Sequence, residues 1–526
     1  MRKTVKILTL LTALMLVFGL VLTGCTGAGQ TTTTTTGEGT TAGTTAGTTA
    51  GTTVETTAGT TAETTAATID ISKQVDLLMY LIGAPAVDYN LVLEAANVKL
   101  KTDLNATLTV NWVGWADFGT QYPLLLASGD PIDLIYASTW TNYYSNAQKG
   151  AFLAIEELAK TYAPQSLAET TPDFIEQSTV GGHLYAIPAS FFQYANMGYI
   201  VRGDLMKKYG LTTIDSMDDY GKYLAAVVEN DPDLDPAGFI SSSDGLDTYF
   251  AADLGLYGIL KNQYSPFWVD VNDPEAKIFN LYERPEVPAY FAKMKEWSDK
   301  GYWSKSILSN KDDRMFIDGK AASRLHNQDS FRSAYIERPE WDVQFFTNGT
   351  FTTKTAAMQD GMAIPAAAKN PERALMFLEK LRQDQIYYNL FTYGIEGKHF
   401  EITADDKLKA LDLEAFAPEG YCSWGFKSLK FYKEPVGSPP TLPALREKFK
   451  SMAIDNKFVL FTPDFEPVKN EMAAVNNVIQ QYRLPLSYGY VDPVAGLATL
   501  NENLKTAGSE KIIAEMQKQL DAYLQG

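Results

Sequence analysis

Residues 75–136 read VDLLMYLIGAPAVDYNLVLEAANVKLKTDLNATLTVNWVGWADFGTQYPLLLASGDPIDLIY, and the order of apolar patterns in this stretch sets the fold class. Val75 to Ile82 is a short apolar run stopped by Gly83, which has the length and bounds of a buried strand. Asp88 to Lys101 has helical spacing through Leu91, Ala95 and Val98, and Leu108, Val110 and Trp112 then alternate as on a strand. A second helix-length piece ends at Ser128-Gly129-Asp130-Pro131, and Asp133 to Tyr136 reads as a third strand. Strands separated by helices need right-handed crossovers, which build a parallel, doubly wound α/β sheet. Ligands of such sheets sit beyond the carboxyl ends of the strands, so the loops 83–88, 113–117 and 137–144 are expected to line a site. They hold Trp115, Trp140, Tyr143 and Tyr144, many aromatic residues for solvated loops.

The remainder of the chain fits around this unit. With 526 residues, 45% apolar and 12% aromatic, it has material for two or three domains at roughly 150 residues each. Its 63 acidic and 45 basic residues argue against nucleic acid as a partner, because phosphate binding needs a basic footprint. Three scattered histidines and two cysteines, Cys25 and Cys422, assemble no zinc cluster or disulfide framework. Cys422 reads as a small buried apolar residue. Nucleotide, metalloprotease and serine-hydrolase signatures are absent, so no cofactor and no catalytic residue is assigned. His183, His326 and His399 read as ordinary hydrogen-bonding residues.

The N-terminus is an address. Arg2, Lys3 and Lys6 precede the apolar run Ile7 to Leu22, which ends at small residues as a secretory signal does, giving a signal peptide over 1–24. Residues 31–68 contain 21 threonines and, apart from Val54, no large apolar residue. Such a segment cannot pack, and residues 25–70 are expected to form a disordered tether with a reach of roughly 35 Å. Further on, Asn370-Pro371 opens a helix whose Ala374, Leu375, Phe377, Leu378 and Leu381 share a face. Phe291, Met294 and Trp297 form a similar stripe, and Ser509 is expected to cap a final helix buried through Ile512, Ile513, Met516, Leu520 and Tyr523.

Several stretches in order resemble a known family. Leu22-Thr23-Gly24-Cys25 resembles a bacterial lipobox, which implies cleavage before Cys25 and lipidation of that residue. ASGDPIDLIYASTW (127–140), HLYAIPA (183–189), NLYERPEVPAYFAKMKEWSDKGYW (280–303), MFIDGKAAS (315–323), YGIEGKHF (393–400) and PVKNEMAAVNNVI (467–479) resemble the solute-binding proteins of ABC importers. The resemblance is to the carbohydrate-type cluster that includes maltose-binding proteins, and within it to the large LipO-type lipoproteins. It covers nearly all of 75–526.

The resemblance implies a two-lobed, type II periplasmic-binding-protein-like fold, each lobe a mixed, mostly parallel sheet flanked by helices, with ligand in the cleft between them. Lobe 1 would take 72–190 and 358–412, and lobe 2 would take 191–357 and 413–526. The implied protein is a monomer held by lipid on Cys25 at the outer face of the cytoplasmic membrane, and it delivers an oligosaccharide to permease subunits without chemistry. Matching positions place Trp115 and Trp140 on lobe-one loops, Gln193 after the first crossing, Tyr249 in a lobe-two loop, and Gln328 and Asp329 after the GKAAS strand. HNQD stands there where some relatives have a tryptophan. Tyr143, Trp268, Tyr393 and Trp424 are further aromatic candidates.

Other readings accompany these residues. Tryptophans are more often core than platform, and Asp329 could pair with Arg324 or Arg332 instead of a sugar. Asp231-Pro-Asp233-Leu-Asp235 imitates the start of a calcium loop, but Pro236 and Ser242 stand where glycine and glutamate are needed, so it reads as a solvated acidic turn and no metal is assigned. A surface glycan hydrolase with paired carboxylates, or a sensory or adhesive subunit of the same fold, are the rival functions.

Overall fold

The computed structural model describes residues 69–189, 194, 197–238, 246–260, 265–347, 352–353, 357–454, 456–459 and 461–525. The expectations for the signal peptide, for Cys25, for the threonine segment and for Gln193 lie outside the described residues, as does the side chain of Tyr249. In chain order the strands that position the site are β1 (Val75–Ile82), β2 (Ala106–Val113), β3 (Leu134–Ala137), β4 (Ala186–Pro188), β5 (Met197–Val201), β6 (Ser323–Asn327), β7 (Gln344–Phe346) and β8 (Gly361–Ala363). The helices used below are α1 (Tyr89–Leu104), α2 (Phe118–Ser128), α3 (Leu246–Asp253), α4 (Gln328–Glu337), α5 (Pro371–Gln383), α6 (Lys469–Ser487), α7 (Pro493–Thr506) and α8 (Ser509–Gln525).

The first lobe follows from the opening stretch. β1 pairs in parallel with β2 on one side, from Val75 opposite Ala106 to Ile82 opposite Val113, and with β3 on the other. β8 enters between β3 and β4, antiparallel to both, giving the order β2-β1-β3-β8-β4. α1 buries Tyr89, Val92, Ala96, Leu100 and Leu104, whereas Leu91 and Val98 of the expected stripe face solvent. Both sets have helical spacing, but only the first runs the full length of the helix. The stripe on α5 is buried as expected, and Asn370 caps it without a side-chain bond; its backbone N and Nδ2 instead donate to Asp133 Oδ1.

The second lobe is built differently. β5 lies between β6 and β7 and is antiparallel to both. β6 and β7 are joined through α4, a crossover that makes them parallel to each other and leaves β5, arriving from the first lobe, running the opposite way. Strands Leu256–Gly258, Phe267–Asp270 and Ile278–Asn280 form another antiparallel sheet. In these sheets parallel pairing is confined to β1 and its neighbours β2 and β3, so the first-lobe sheet is mixed, with two parallel and two antiparallel pairings, while the second-lobe sheets are antiparallel.

Two apolar cores mark the lobes. One gathers residues from Leu77 to Ile187 and from Met358 to Phe426, and the other gathers Tyr199 to Leu325 and Phe458 to Leu520. The expected return to the second lobe at residue 413 is thus too early, because Phe416, Cys422 and Phe426 are buried in the first core. Their irregular spacing has neither helical nor strand period, and two long-range backbone bonds, Asp88 N to Ala415 O and Glu419 N to Thr392 O, fix the segment in place. α6, α7 and α8 pack on the second lobe. In α8 Ser509 is already inside the helix and Tyr523 is exposed, while Ile512, Met516 and Leu520 are buried. A buried carboxylate ties this layer to α3: Asp247 accepts from Arg483 Nε (3.0 Å), Ser487 Oγ (2.6 Å) and Tyr290 OH (2.8 Å).

Candidate functional site

The carboxyl ends of β2 and β3 present an aromatic wall. Trp115, in the loop after β2, lies 5.7 Å from Trp140, in the turn after β3, and is stacked on Trp424 at 6.3 Å with an interplanar angle of 23°. Phe118 at the start of α2 meets Trp140 edge-on at 5.4 Å, and Tyr136 from β3 lies 5.1 Å from Trp140. The three tryptophans are only partly buried, unlike the ordinary core rings.

Local chemistry explains why these rings meet. Gly83 at the end of β1 has φ +110°, and a Cβ there would fall 3.1 Å from Trp115 Nε1, so glycine supplies both the backbone turn and the room for the indole. Ser138 and Thr141 form a reciprocal capping box around Trp140. Ser138 Oγ donates to Gln359 O at 2.5 Å, and Tyr136 OH donates to Asp360 Oδ1 at 2.7 Å, which ties the turn to the strand entering as β8. Burial, then the Asp360 charge, push the Tyr136 hydroxyl well above the ordinary tyrosine range, so it stays a proton donor. Trp424 arrives on a short helical turn, Ser423–Phe426, whose Gly425 packs against Tyr136 and Met362 where a Cβ would come within 2.7 Å of the tyrosine ring.

The second lobe brings polar groups from the end of β6. Asn327 caps α4 by accepting from Asp329 N (3.2 Å) and Ser330 N (3.0 Å). Gln328 is buried, and its Oε1 has no hydrogen-bond partner among the described residues. Burial alone would raise the Asp329 carboxyl, but the charges of Arg332, Lys427 and Arg446 prevail and hold it below the usual range. His326 Nδ1 lies 2.6 Å from Ser330 Oγ, and burial followed by the Arg324 charge pushes its imidazole down to about 3, so it is neutral at physiological pH. Among the described residues, contacts that join the lobes include Asp117 with Lys311 (3.1 Å), Gln148 Nε2 with Thr462 O (3.4 Å), and the buried pair Arg332 with Glu419 (2.8 Å). A cavity of about 400 Å³ lies farther along the junction, between Gln177 of the first lobe and Asn272, Asn456 and Lys457, and no residue of the aromatic wall lines it.

The expected site residues divide accordingly. Trp115, Trp140 and Trp424 come together, and Gln328 and Asp329 sit side by side at the start of α4. Tyr143 is instead a core residue with its hydroxyl on Ser178 O (2.6 Å), and Trp268 packs with Ala251, Leu256 and Leu281, donating from Nε1 to Ser265 O. Tyr393 is also buried, in a satellite cluster with Tyr388, Phe400 and Leu408. Tyr249 stands on α3 and not in a loop. In the acidic turn, Asp231 is engaged by Lys208 at 2.7 Å and by the Tyr209 hydroxyl, and Asp235 is stitched through its backbone to Lys320 and Ala322. Among the described residues no group of three or more His, Cys, Asp or Glu side chains could hold a metal ion.

Residues 89–385, more than half of the chain, match the model of the family described as bacterial extracellular solute-binding protein. The chain belongs to that family. Residues 457–525 of this solute-binding protein also match a domain of unknown function, which corresponds to the α6–α8 layer and the segment leading into it. A protein of Streptococcus pneumoniae serotype 4 named as a carbohydrate ABC transporter substrate-binding protein is 26% identical over 471 residues, 86% of this chain and 92% of that one. Lipoprotein LipO of Bacillus subtilis is 23% identical over 56% of this chain and 62% of its own length. Among solved structures, the N-glycan transport solute-binding protein NgtS of S. pneumoniae in complex with Man1GlcNAc superposes with a TM-score of 0.75 at 24% identity, covering 86% of this chain and all of that one. This likeness establishes the type II fold.

Sequence reasoning alone missed several supports of the wall. Phe118 and Tyr136 lie in elements that the pattern located, but nothing in their spacing marks them as ring partners. Gly425 and the Arg332–Glu419 pair act across the fold and leave no local pattern.

Proposed function

We propose that this solute-binding protein captures a carbohydrate, an oligosaccharide, between its lobes and delivers it to the permease of an ABC importer. The observation that carries the reading is the set of stacked, partly exposed tryptophans Trp115, Trp140 and Trp424 at the carboxyl ends of the first-lobe strands. A pyranose has an apolar face that stacks on indole and hydroxyls that need polar partners. In this reading Gln328 and Asp329 supply those partners from the facing lobe; the amide oxygen of Gln328 is buried with no bond of its own among the described residues. The names borne by relatives support the ligand class: the pneumococcal relative is named for carbohydrate transport, and NgtS is solved with Man1GlcNAc and with Man5GlcNAc.

Ligand contacts made to both lobes bias the protein toward closure, and micromolar binding, worth about 8 kcal/mol, is ample to shift lobe states separated by a few kcal/mol. The ligand leaves unaltered. The body acts as a monomer, tethered through lipid on Cys25 and the threonine segment to the outer face of the cytoplasmic membrane. The test is the melting temperature of the protein against mono- and oligosaccharides, peptides and metals, with each glycan recovered and analysed afterwards. A selective rise with an intact glycan supports the reading; a cleaved glycan, or a rise with peptides only, refutes it.

A further inference from the structure

The turn that delivers Trp424 is held in an unfavourable conformation. Glu419 (φ 61°), Tyr421 (φ 55°) and Cys422 (φ 60°) all occupy the left-handed region without being glycine, three within four residues. Local bonds account for part of the restraint: Ala417 N donates to the Tyr421 hydroxyl at 3.0 Å, and Glu419 N donates to Thr392 O at 2.7 Å. Cys422, Gly425 and Phe426 pack into the first core beside it, and a further restraint comes from the other lobe. Arg332 on α4 lies 2.8 Å from the Glu419 carboxylate, with both side chains less than 10% exposed, and it also donates to Tyr432 OH at 2.9 Å. Lys427 reaches Glu419 at 3.2 Å from the same side of the fold as the turn. One short segment thus carries a ring of the aromatic wall at one end and a buried bond to the opposite lobe at the other.

We infer that Arg332 and Glu419 are positioning residues whose ion pair couples the placement of Trp424 to the arrangement of the lobes. The pair has one member on each lobe, so parting of the lobes at this point stretches it. Glu419 then keeps only Lys427, Arg332 turns to Asp329, and the turn loses one of the contacts that offset its backbone conformation. The Trp424 indole, still anchored by Gly425 and Phe426, then shifts against Trp115. By reciprocity, whatever stacks on Trp424 stabilises the turn, the ion pair and the closed arrangement together. The inference rests on the reading of the aromatic wall as the ligand surface, but its first test needs no ligand.

The test uses the full chain with Cys25→Ser and spin labels on Lys101→Cys in α1 and Glu502→Cys in α7, two exposed positions on opposite lobes. The double variant Arg332→Met/Glu419→Leu removes both charges, keeps bulk, and leaves Asp329 and Lys427 to face each other, so no lone buried charge is created. Without sugar, its inter-label distances are expected to spread to longer values than in the parent; an unchanged distribution overturns the inference. With mannosyl-N-acetylglucosamine as the probe, the variant is expected to bind about fivefold or more weakly, the size of a modest coupling. Trp424→Ala should then cost less affinity in the variant than in the parent, since these residues act through each other; strict additivity overturns the coupling. If the double variant does not fold, Arg332→Lys, which keeps the charge but not the fork, is expected to lengthen the distances in the same direction, and failure to do so refutes the idea. A parent that binds no glycan would sink the ligand reading while the label distances still decide on the ion pair.

Discussion

Replacing Trp115 by alanine separates a ligand platform from a core residue. The indole touches Trp140, Trp424 and Phe118 but remains partly exposed, so its loss removes aromatic contacts of ~0.5–1.5 kcal/mol each without opening a sealed cavity. Part of that loss is recovered when Trp424 and Trp140 close on the gap, and a stability change of about 1–2 kcal/mol is expected. The comparison is Trp297→Ala: this ring is buried in the second core beside Tyr220, Tyr302 and Trp303, and its removal should cost ~3–5 kcal/mol. For glycan binding the order reverses. Trp115→Ala should weaken affinity by ~1–3 kcal/mol, roughly five- to 150-fold in Kd, while Trp297→Ala, when folded, should bind almost normally. Urea denaturation and calorimetric titration of the same preparations give the two numbers. If Trp115→Ala destabilises as much as Trp297→Ala and leaves Kd unchanged, the wall is packing and the reasoning fails.

Further outcomes follow from other contacts. Gly83→Ala places a side chain at φ +110° and 3.1 Å from Trp115 Nε1, so it should cost ~1–3 kcal/mol of stability and weaken glycan binding, with Trp115 fluorescence shifted; normal binding would show that the indole need not sit where it does. Arg483→Met leaves the buried Asp247 carboxylate without its cation and should destabilise by about 3–5 kcal/mol in urea, a loss that Arg483→Lys recovers in part. Because burial pushes His326 to about 3 while an unfolded imidazole titrates near 6.5, the unfolded chain binds a proton that the folded one does not between these values. Stability should therefore fall as pH drops through that window, and His326→Gln should lose less on acidification from pH 7 to 4.5 than the parent. Cys422 is fully buried with its thiol pushed far above the ordinary range, so it should react with a thiol reagent only at the rate of unfolding.

The first lobe was legible because its strands and helices follow one another locally. β1 ends at Ile82, β3 covers three of the four expected residues, and two of the three predicted loops hold wall tryptophans. α1 was located, but its buried face was not, since two stripes of equal spacing compete and only packing chooses between them. Tyr143 and Trp268 look like site residues because aromatics near loops do; Tyr143 is buried with its hydroxyl on a carbonyl 35 residues away, Ser178 O, and Trp268 by packing against Ala251, Leu256 and Leu281. The boundary near residue 412 was unreadable for a related reason. Residues 412–426 form no strand, and their allegiance to the first core is decided by Phe416, Cys422 and Phe426 fitting beneath the sheet.

The wall joins Trp115 and Trp140 to Trp424, and the second lobe up to Val343 is threaded between them. During synthesis and export, two of the three rings emerge early and must wait for nearly the whole chain before the third can reach them. The contact is non-local in the sense that slows folding, and a product truncated before Phe426 would carry an exposed pair of indoles and an unfinished first core. If the wall is the ligand surface, as proposed, binding competence waits for the third ring, and glycan retention then reports completed chains.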